Sequence, residues 1–457
     1  MKVKIDNKIY IQEPSEEIMR WARENLKVEN PVYFKKERMG FWNGNEPEYL
    51  YLYEYRNNIL YLPFGCLSTI WKFHPMKEDY IYSIKPVERI EYESHINLYP
   101  YQKQAVERAI ERKNGILVMP CGAGKTVSGL EVIARIGGKA LWLTHTQDLL
   151  NQSKQRAESV LGQGGYGTIT AGKVDIGKTI TFATVQTLSK QDLKQFKEMF
   201  DVIICDECQH TAGSPTKVTQ FYKVMSALSA RYKIGLTATP KRADGLEISM
   251  FALLGNVIHE VTREEVEHTT CPVKVQTVYT RWSPKGNFYR EDGGMDYTKI
   301  VEEMVNDEVR FQFVSDWING IKEPCIVLAN RVEYLKRLCE NFEGKAICLS
   351  GQGQSKKVKE ERKAALNALN EGEVDCLFSS YLLSKEGLDV PNLRYVVFAT
   401  PEHDSTTVIQ SAGRVGRKAD GKEYGTVIDF VDDFGMYQRW YKERLKYYKE
   451  IKAEVLQ

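Results

Sequence analysis

The chain has 457 residues, 42% hydrophobic and 27% charged. This composition excludes a wholly disordered or fibrous protein and, at roughly 100–200 residues per domain, calls for two to four domains. Lys and Arg total 63 against 61 Asp and Glu, a net charge of +2, so a polyanionic partner must be met by local basic groups and not by bulk charge. No apolar run approaches the roughly 20 residues of a membrane helix. The N-terminus lacks a secretory core, and nine Cys without framework spacing fit a reducing compartment, so a cytoplasmic, membrane-free location is expected.

The texture changes near residue 95. Before it, Tyr49, Tyr51, Tyr53 and Tyr55 alternate with Leu50, Leu52, Glu54 and Arg56, the period of a strand. Asn57-Asn58 supplies a tight turn, since Asn tolerates positive φ, and Ile59–Leu62 is the return strand. Residues 1–95 are thus expected to form a small α+β domain with a β-hairpin, its tyrosines packing in the core. The hairpin tip at Arg56 is the domain's candidate for an outward contact.

Short apolar runs then alternate with helical patterns, the signature of parallel α/β architecture. Strands are expected at Ile116–Met119, Ala140–Thr144, Ile180–Thr184, Val202–Cys205 and Ile234–Thr237. After a loop around 283–294 a second series follows at Cys325–Ala329, Ala346–Leu349, Asp375–Ser379, Tyr395–Ala399 and Thr426–Asp429. Two tandem α/β units account for this order. Residues 436–457 read as a helix with Tyr437, Tyr441, Leu445, Tyr448 and Val455 near one stripe and Arg439, Lys442, Lys446 and Lys449 on another.

The sharpest motif is Pro120-Cys-Gly-Ala-Gly-Lys-Thr126, between a strand and a helix. Gly122, Ala123 and Gly124 would bring backbone N–H groups to phosphate oxygens at a helix N-terminus. Lys125 would reach the β- and γ-phosphates, and Thr126 would ligate Mg²⁺. Met119 stands where the usual pattern has Gly. Asp206-Glu207 closes a buried strand, facing the crevice where nucleotides bind. Asp206 would hold Mg²⁺ through water, and Glu207 would orient and deprotonate the attacking water. Cys205, Cys208 and His210 raise zinc chemistry, but no second Cys pair lies nearby to complete four ligands.

Three further strings complete an ordered set: Gly235-Leu-Thr-Ala-Thr-Pro240, Glu386-Gly-Leu-Asp-Val-Pro391 and Gln410-Ser-Ala-Gly-Arg-Val-Gly-Arg417. Together with the two motifs above they resemble superfamily 2 helicases over about residues 96–432. The resemblance implies two RecA-like parallel-sheet lobes with ATP bound between them, and it accounts for Met119. It implies that Gln102 reads the adenine edge, that Gly387 and Asp389 belong to the ATP site, and that Gln410 positions the water. Arg417 would be the cationic finger on the γ-phosphate, and Arg414 would bridge to that phosphate or to Asp389. Thr144, His145, Thr184, Arg331 and Ser379 would contact the nucleic-acid backbone, with Ser380 and Ser384 as further candidates.

Lys241-Arg-Ala-Asp-Gly245 resembles the segment that XPB-like DNA translocases carry after Thr-Ala-Thr-Pro. The small aromatic N-terminal domain resembles that of bacteriophage branch-migration helicases of the UvsW type. Only residues 392–409 separate the Asp389 and Gln410 motifs, which leaves no room for a long strand-separating hairpin. The resemblance thus implies an ATP- and Mg²⁺-dependent DNA helicase working 3′ to 5′ on forks, four-way junctions, D-loops and R-loops. It would act as a monomer, with recombination or replication proteins as possible partners, in the host bacterial cytoplasm if phage-encoded. The expected boundaries are 1–95 for the N-terminal domain, 96–268 for lobe 1, 269–435 for lobe 2 and 436–457 for the terminal helix. The motor of a repair or restriction translocase, an RNA helicase and a binding protein with a degenerate ATPase are the alternatives.

Overall fold

The structure is a computed structural model. It describes every residue except 121, 163, 212–218, 241–245, 268–269, 290–293, 350–355, 382–389 and 457. The chain divides into two compact units, Met1–Glu265 and Val266–Gln457. Among the described residues no helix is long and apolar enough to cross a membrane.

The first unit opens with β1 (Lys2–Ile5), β2 (Lys8–Gln12), β3 (Lys27–Glu29), β4 (Tyr49–Tyr51), β5 (Glu54–Arg56), β6 (Ile59–Pro63) and β7 (Tyr80–Tyr82). Five of these form a sheet in the order β5-β6-β2-β1-β7, while β3 and β4 pair separately. The strand expected to run unbroken through 49–56 is therefore interrupted at Leu52-Tyr53, and its halves serve different sheets. The turn is as expected: Asn57 and Asn58 take φ of 51° and 59°. The tyrosine face is not. Leu50 and Leu52 are buried at 2% and 1%, while Tyr51 and Tyr55 stand 39% and 49% exposed. On a two-faced strand the leucines take the core because they carry no hydroxyl to satisfy.

The remainder of this unit holds β8 (Asn114–Val118), β9 (Ala140–Thr144), β10 (Gly167–Thr170), β11 (Lys173–Asp175), β12 (Ile180–Thr184), β13 (Val202–Asp206), β14 (Tyr232–Thr237) and β15 (Val257–Glu260). Their order is β11-β10-β12-β9-β13-β14-β8-β15, a RecA-like lobe. Every residue of β9, β12 and β13 is buried, as expected of parallel strands covered on both faces. The pairing of β12, β9, β13, β14 and β8 is parallel throughout. Their carboxyl ends consequently share one edge, where open α/β sheets bind ligands.

The N-terminal sheet docks on this lobe. Asn7 Nδ2 donates to Ser226 O at 2.7 Å and Lys197 pairs with Asp6 at 2.6 Å. A Cβ on Gly65 would come within 2.3 Å of Gly255 N and 2.4 Å of Phe251 O, so two backbones touch there. Beside them Lys233 is fully buried, donating to the carbonyls of Met225 (3.2 Å) and Leu228 (2.8 Å) at the end of the Gln220–Ala227 helix. Its ammonium lies 4.7 Å from the Phe64 ring centre. Burial pulls the amine down to about 7.

The second unit holds β16 (Val273–Tyr279), β17 (Cys325–Ala329), β18 (Ala346–Leu349), β19 (Cys376–Ser380), β20 (Tyr395–Phe398), β21 (Gly425–Val431) and β22 (Glu454–Leu456). The order is β18-β19-β17-β20-β21-β16-β22, all parallel. The terminal helix is shorter than expected, Gly435–Glu450, because the tail turns to add β22 beside β16. Tyr437, Tyr441 and Tyr448 are buried, and Arg439, Lys442, Lys446 and Lys449 are exposed. Arg444, 1% exposed, makes two 2.8 Å bonds to Asp429, which also accepts from the Tyr448 hydroxyl at 2.8 Å. The buried face thus pins the helix to β21.

Candidate functional site

The phosphate loop follows β8. Met119 is fully buried and its N–H donates to Thr237 O at 2.9 Å, so it closes the core and is not part of the loop's ligand face. Gly122 and Gly124 have φ of 85° and 77°, the left-handed region that suits glycine. Gly124 caps the helix Lys125–Ile136, placing Lys125 and Thr126 in its first turn, where N–H groups and the helix dipole favour an anion.

Gln102 braces this loop. It is 4% exposed near the start of the helix Pro100–Arg112. Its Oε1 accepts from Tyr99 N–H at 3.0 Å and its Nε2 donates to Ala123 O at 2.9 Å. A carboxamide has two N–H groups and two lone-pair sites on oxygen, so each end retains capacity to meet a base edge.

At the end of β13, Asp206 is 5% exposed. Burial, then the neighbouring Glu207, push its carboxyl up, while the Lys125 ammonium pulls the other way. Glu207 takes a φ of 49°, unusual for a non-glycine and a mark of local strain. Its Oε1 lies 3.8 Å from Lys125 Nζ. Its Oε2 accepts from Gln209 Nε2 at 2.7 Å, and Gln209 Oε1 accepts from the Thr237 hydroxyl at 2.7 Å. Thr237 in turn accepts from Thr239 N–H at 3.1 Å. Phosphate loop, acidic strand end and the Thr-Ala-Thr segment are therefore one chain of contacts. Gln209, Thr237 and Thr239 had no role assigned from sequence. Their signal was only that they stand inside recognised strings.

Cys205 and Cys208 are core residues. Cys208 Sγ lies 3.7 Å from Met250 Sδ, and a Cβ on Gly235 would come within 2.8 Å of it. Burial pushes both thiols up, away from the thiolate that binds metal.

The nucleic-acid candidates divide. Thr144 is fully buried, its hydroxyl donating to Thr146 O at 3.0 Å, and Thr184 is 6% exposed with its hydroxyl 3.1 Å from Thr187 Oγ1. Ser379 is 1% exposed inside β19. The side chains of these three are buried where they stand, with the hydroxyls of Thr144 and Thr184 held by their own loops. His145 is half-buried beside Thr144, and its carbonyl accepts from the exposed Gln186 at 2.5 Å. Arg331, half-exposed, begins the helix Val332–Glu340. Arg56 is exposed with its guanidinium 4.7 Å from the Tyr61 ring centre. Ser384, Gly387, Asp389 and the segment 241–245 lie outside the described residues.

In the second unit the helix Ser405–Val415 buries Val408, Ile409, Ala412 and Val415. Gln410 and Arg414, one turn apart, stand half-buried on another face, and Arg417 follows the helix end. There Cys271 N–H donates to Gly416 O at 2.8 Å, holding the turn that carries Arg417.

Residues 95–242 match the family model of the type III restriction enzyme res subunit, and residues 309–419 match that of the helicase conserved C-terminal domain. The chain is 24% identical over 361 residues to the DNA 3′-5′ translocase XPB2 of Sulfurisphaera tokodaii, spanning 71% of this chain and 80% of that one. It is 23% identical over 453 residues to the ATP-dependent DNA helicase uvsW of Enterobacteria phage T4, spanning 90% and 86%. Among solved structures, the ATP-dependent type ISP restriction-modification enzyme LlaBIII bound to DNA shares the fold with a TM-score of 0.56 at 18% identity, over 78% of this chain and 30% of that one. With the two family models matched in order along one chain, the chain belongs to the superfamily 2 helicases and is an ATP-dependent helicase.

Proposed function

We propose that this helicase is a DNA translocase, moving 3′ to 5′, that remodels forks, four-way junctions, D-loops and R-loops in recombination and repair. The observation that carries the reading is the reach of the similarity to the phage DNA helicase. It spans 90% of the chain, more than the part that bears ATPase motifs. The short 392–409 connection supports it, since three residues, β20, a six-residue loop and the start of the helix Ser405–Val415 fill that span.

ATP is the nucleotide expected at the phosphate loop. Lys125 would leave Glu207 for the phosphates, and Gln102 would meet the base. The freed Glu207, still held by Gln209, would orient the attacking water and take its proton. Gln410, Arg414 and Arg417 would supply the water contact and the cationic stabilisation of the γ-phosphate. Thr126 and Asp206 fit Mg²⁺: a hydroxyl and a buried carboxylate crowded by a second one are hard oxygen donors that a divalent cation suits. Bound there, the metal would neutralise charge on the phosphates. His145 and Arg331 remain the candidates for backbone contact.

The test is ATPase rate measured side by side with single-stranded DNA, duplex, fork, four-way junction and RNA. Branched DNA should stimulate most, and Lys125→Ala should abolish turnover while leaving DNA affinity within about twofold. Equal stimulation by RNA, or wild-type turnover in Lys125→Ala, would overturn the reading.

A further inference from the structure

The excursion between β3 and β4 is built unlike the rest of the molecule. The helix Pro31–Arg38 has no buried residue. Beyond it, Met39, Phe41 and Trp42 are 53%, 62% and 89% exposed. Isolated exposed apolar side chains are common, but three together at one turn form a patch that a monomer pays to keep.

The base of this excursion is fixed. Asn30, fully buried, caps the helix through Val32 N–H (3.1 Å) and donates to Pro47 O at 2.7 Å across the loop. Phe41 N–H donates back to Lys36 O at 2.9 Å. Gly40 and Gly44, with φ of 68° and 59°, reverse the chain on either side of Phe41-Trp42. The two rings are therefore held outward on a clamped turn.

The charge is divided along the excursion: Lys35, Lys36 and Arg38 stand together on the helix with Glu37 among them, while Glu46 and Glu48 lie on the return limb, where Glu46 accepts from Asn30 Nδ2 at 3.3 Å. Aromatic rings beside cations suit an unpaired nucleic-acid strand, in which bases stack and phosphates pair. By contrast, the hairpin tip is occupied with itself: Arg56 lies over Tyr61, and Asn58 Oδ1 accepts from the Tyr55 hydroxyl at 2.8 Å.

We propose that the Pro31–Arg38 helix and the turn after it form a stacking site for unpaired DNA bases at a branch point. Phe41 and Trp42 take the bases, and Lys35, Lys36 and Arg38 take the flanking phosphates. The inference rests on the DNA reading above.

The test uses the full chain with a fork bearing unpaired thymidine arms and, in parallel, a blunt duplex. Trp42→Ala should bind the fork about tenfold more weakly, from a stacking contribution of roughly 1–3 kcal/mol per base, with blunt-duplex affinity unchanged. Trp42→Phe should restore most of the loss. Lys35→Gln with Lys36→Gln should lower the slope of log affinity against log salt by about 1.4, at roughly 0.7 per phosphate on a single strand. An unchanged thermal midpoint excludes misfolding as the cause. Wild-type fork affinity in Trp42→Ala with Phe41→Ala overturns the proposal, whether or not self-association changes. If DNA still stimulates the wild-type ATPase, only this site falls. If no DNA stimulates it, the DNA reading falls and takes the site with it.

Discussion

The nucleotide centre and the 30–45 excursion sit in the same unit and follow opposite rules. At the first, each acting group is sheltered and spoken for: Lys125 faces Glu207, Glu207 holds Gln209, and Gln209 holds Thr237. At the second, the backbone is clamped while the side chains stand in solvent. Chemistry on a phosphate needs charges fixed in advance, because reorganisation at the moment of reaction is costly. A strand that slides past needs surfaces that accept any base, and stacking is indifferent to sequence. The difference teaches where substitutions will be felt, and as what quantity.

The contrast breaks if either region answers in the other's currency. Glu207→Gln should show the largest effect, a fall in kcat of about 10²–10⁴, the usual worth of a general base, with fork affinity unchanged; steady-state ATPase and fork binding measured together decide it. Gln209→Ala should be intermediate. Losing one buried hydrogen-bonding link of about 0.5–1.5 kcal/mol predicts a kcat lowered about two- to tenfold by a drifting Glu207, and the same assay reads it. The smallest effect is expected from Arg56→Ala with Asn57→Ala, under about twofold on fork binding, because that tip already bonds to its own hairpin. A larger loss there than in Trp42→Ala would reverse the assignment of the contacting element.

The fold was legible where burial is complete. Ala140–Thr144 and Ile180–Thr184 are apolar through their length because parallel strands are covered on both faces, and their ends fell where the strings predicted. Val257–Glu260 and Glu454–Leu456 carry no such signal: they pair at sheet edges, and none of their residues is fully buried. Val273–Tyr279 went unread because Lys274 and Gln276 interrupt its apolar run.

The same logic sorts the site. That the Gly122–Lys125 turn and the Asp206-Glu207 strand end would lie together was legible, because phosphate chemistry admits few residue types, and Lys125 does lie 3.8 Å from Glu207. The burial of Thr144, Thr184 and Ser379 was not legible, because a string marks a strand end but not which side chain there points outward, and direction alternates along a strand. Nothing periodic announced Trp42. It is an irregular turn, and only its exposure identifies it.

The joint at Gly65 has a mechanical meaning. A hinge needs slack, and here one backbone rests on another with no room for a methyl group, beside a lysine threaded between helix carbonyls and an aromatic ring. The five-stranded sheet is therefore seated on the first lobe like a tenon in its mortise. The β3–β4 pair that carries Trp42 shares the hydrophobic core of that sheet through Val28 and Leu50, so the excursion has its footing in the same joint. Gly65→Ala would loosen that footing by forcing the two backbones apart.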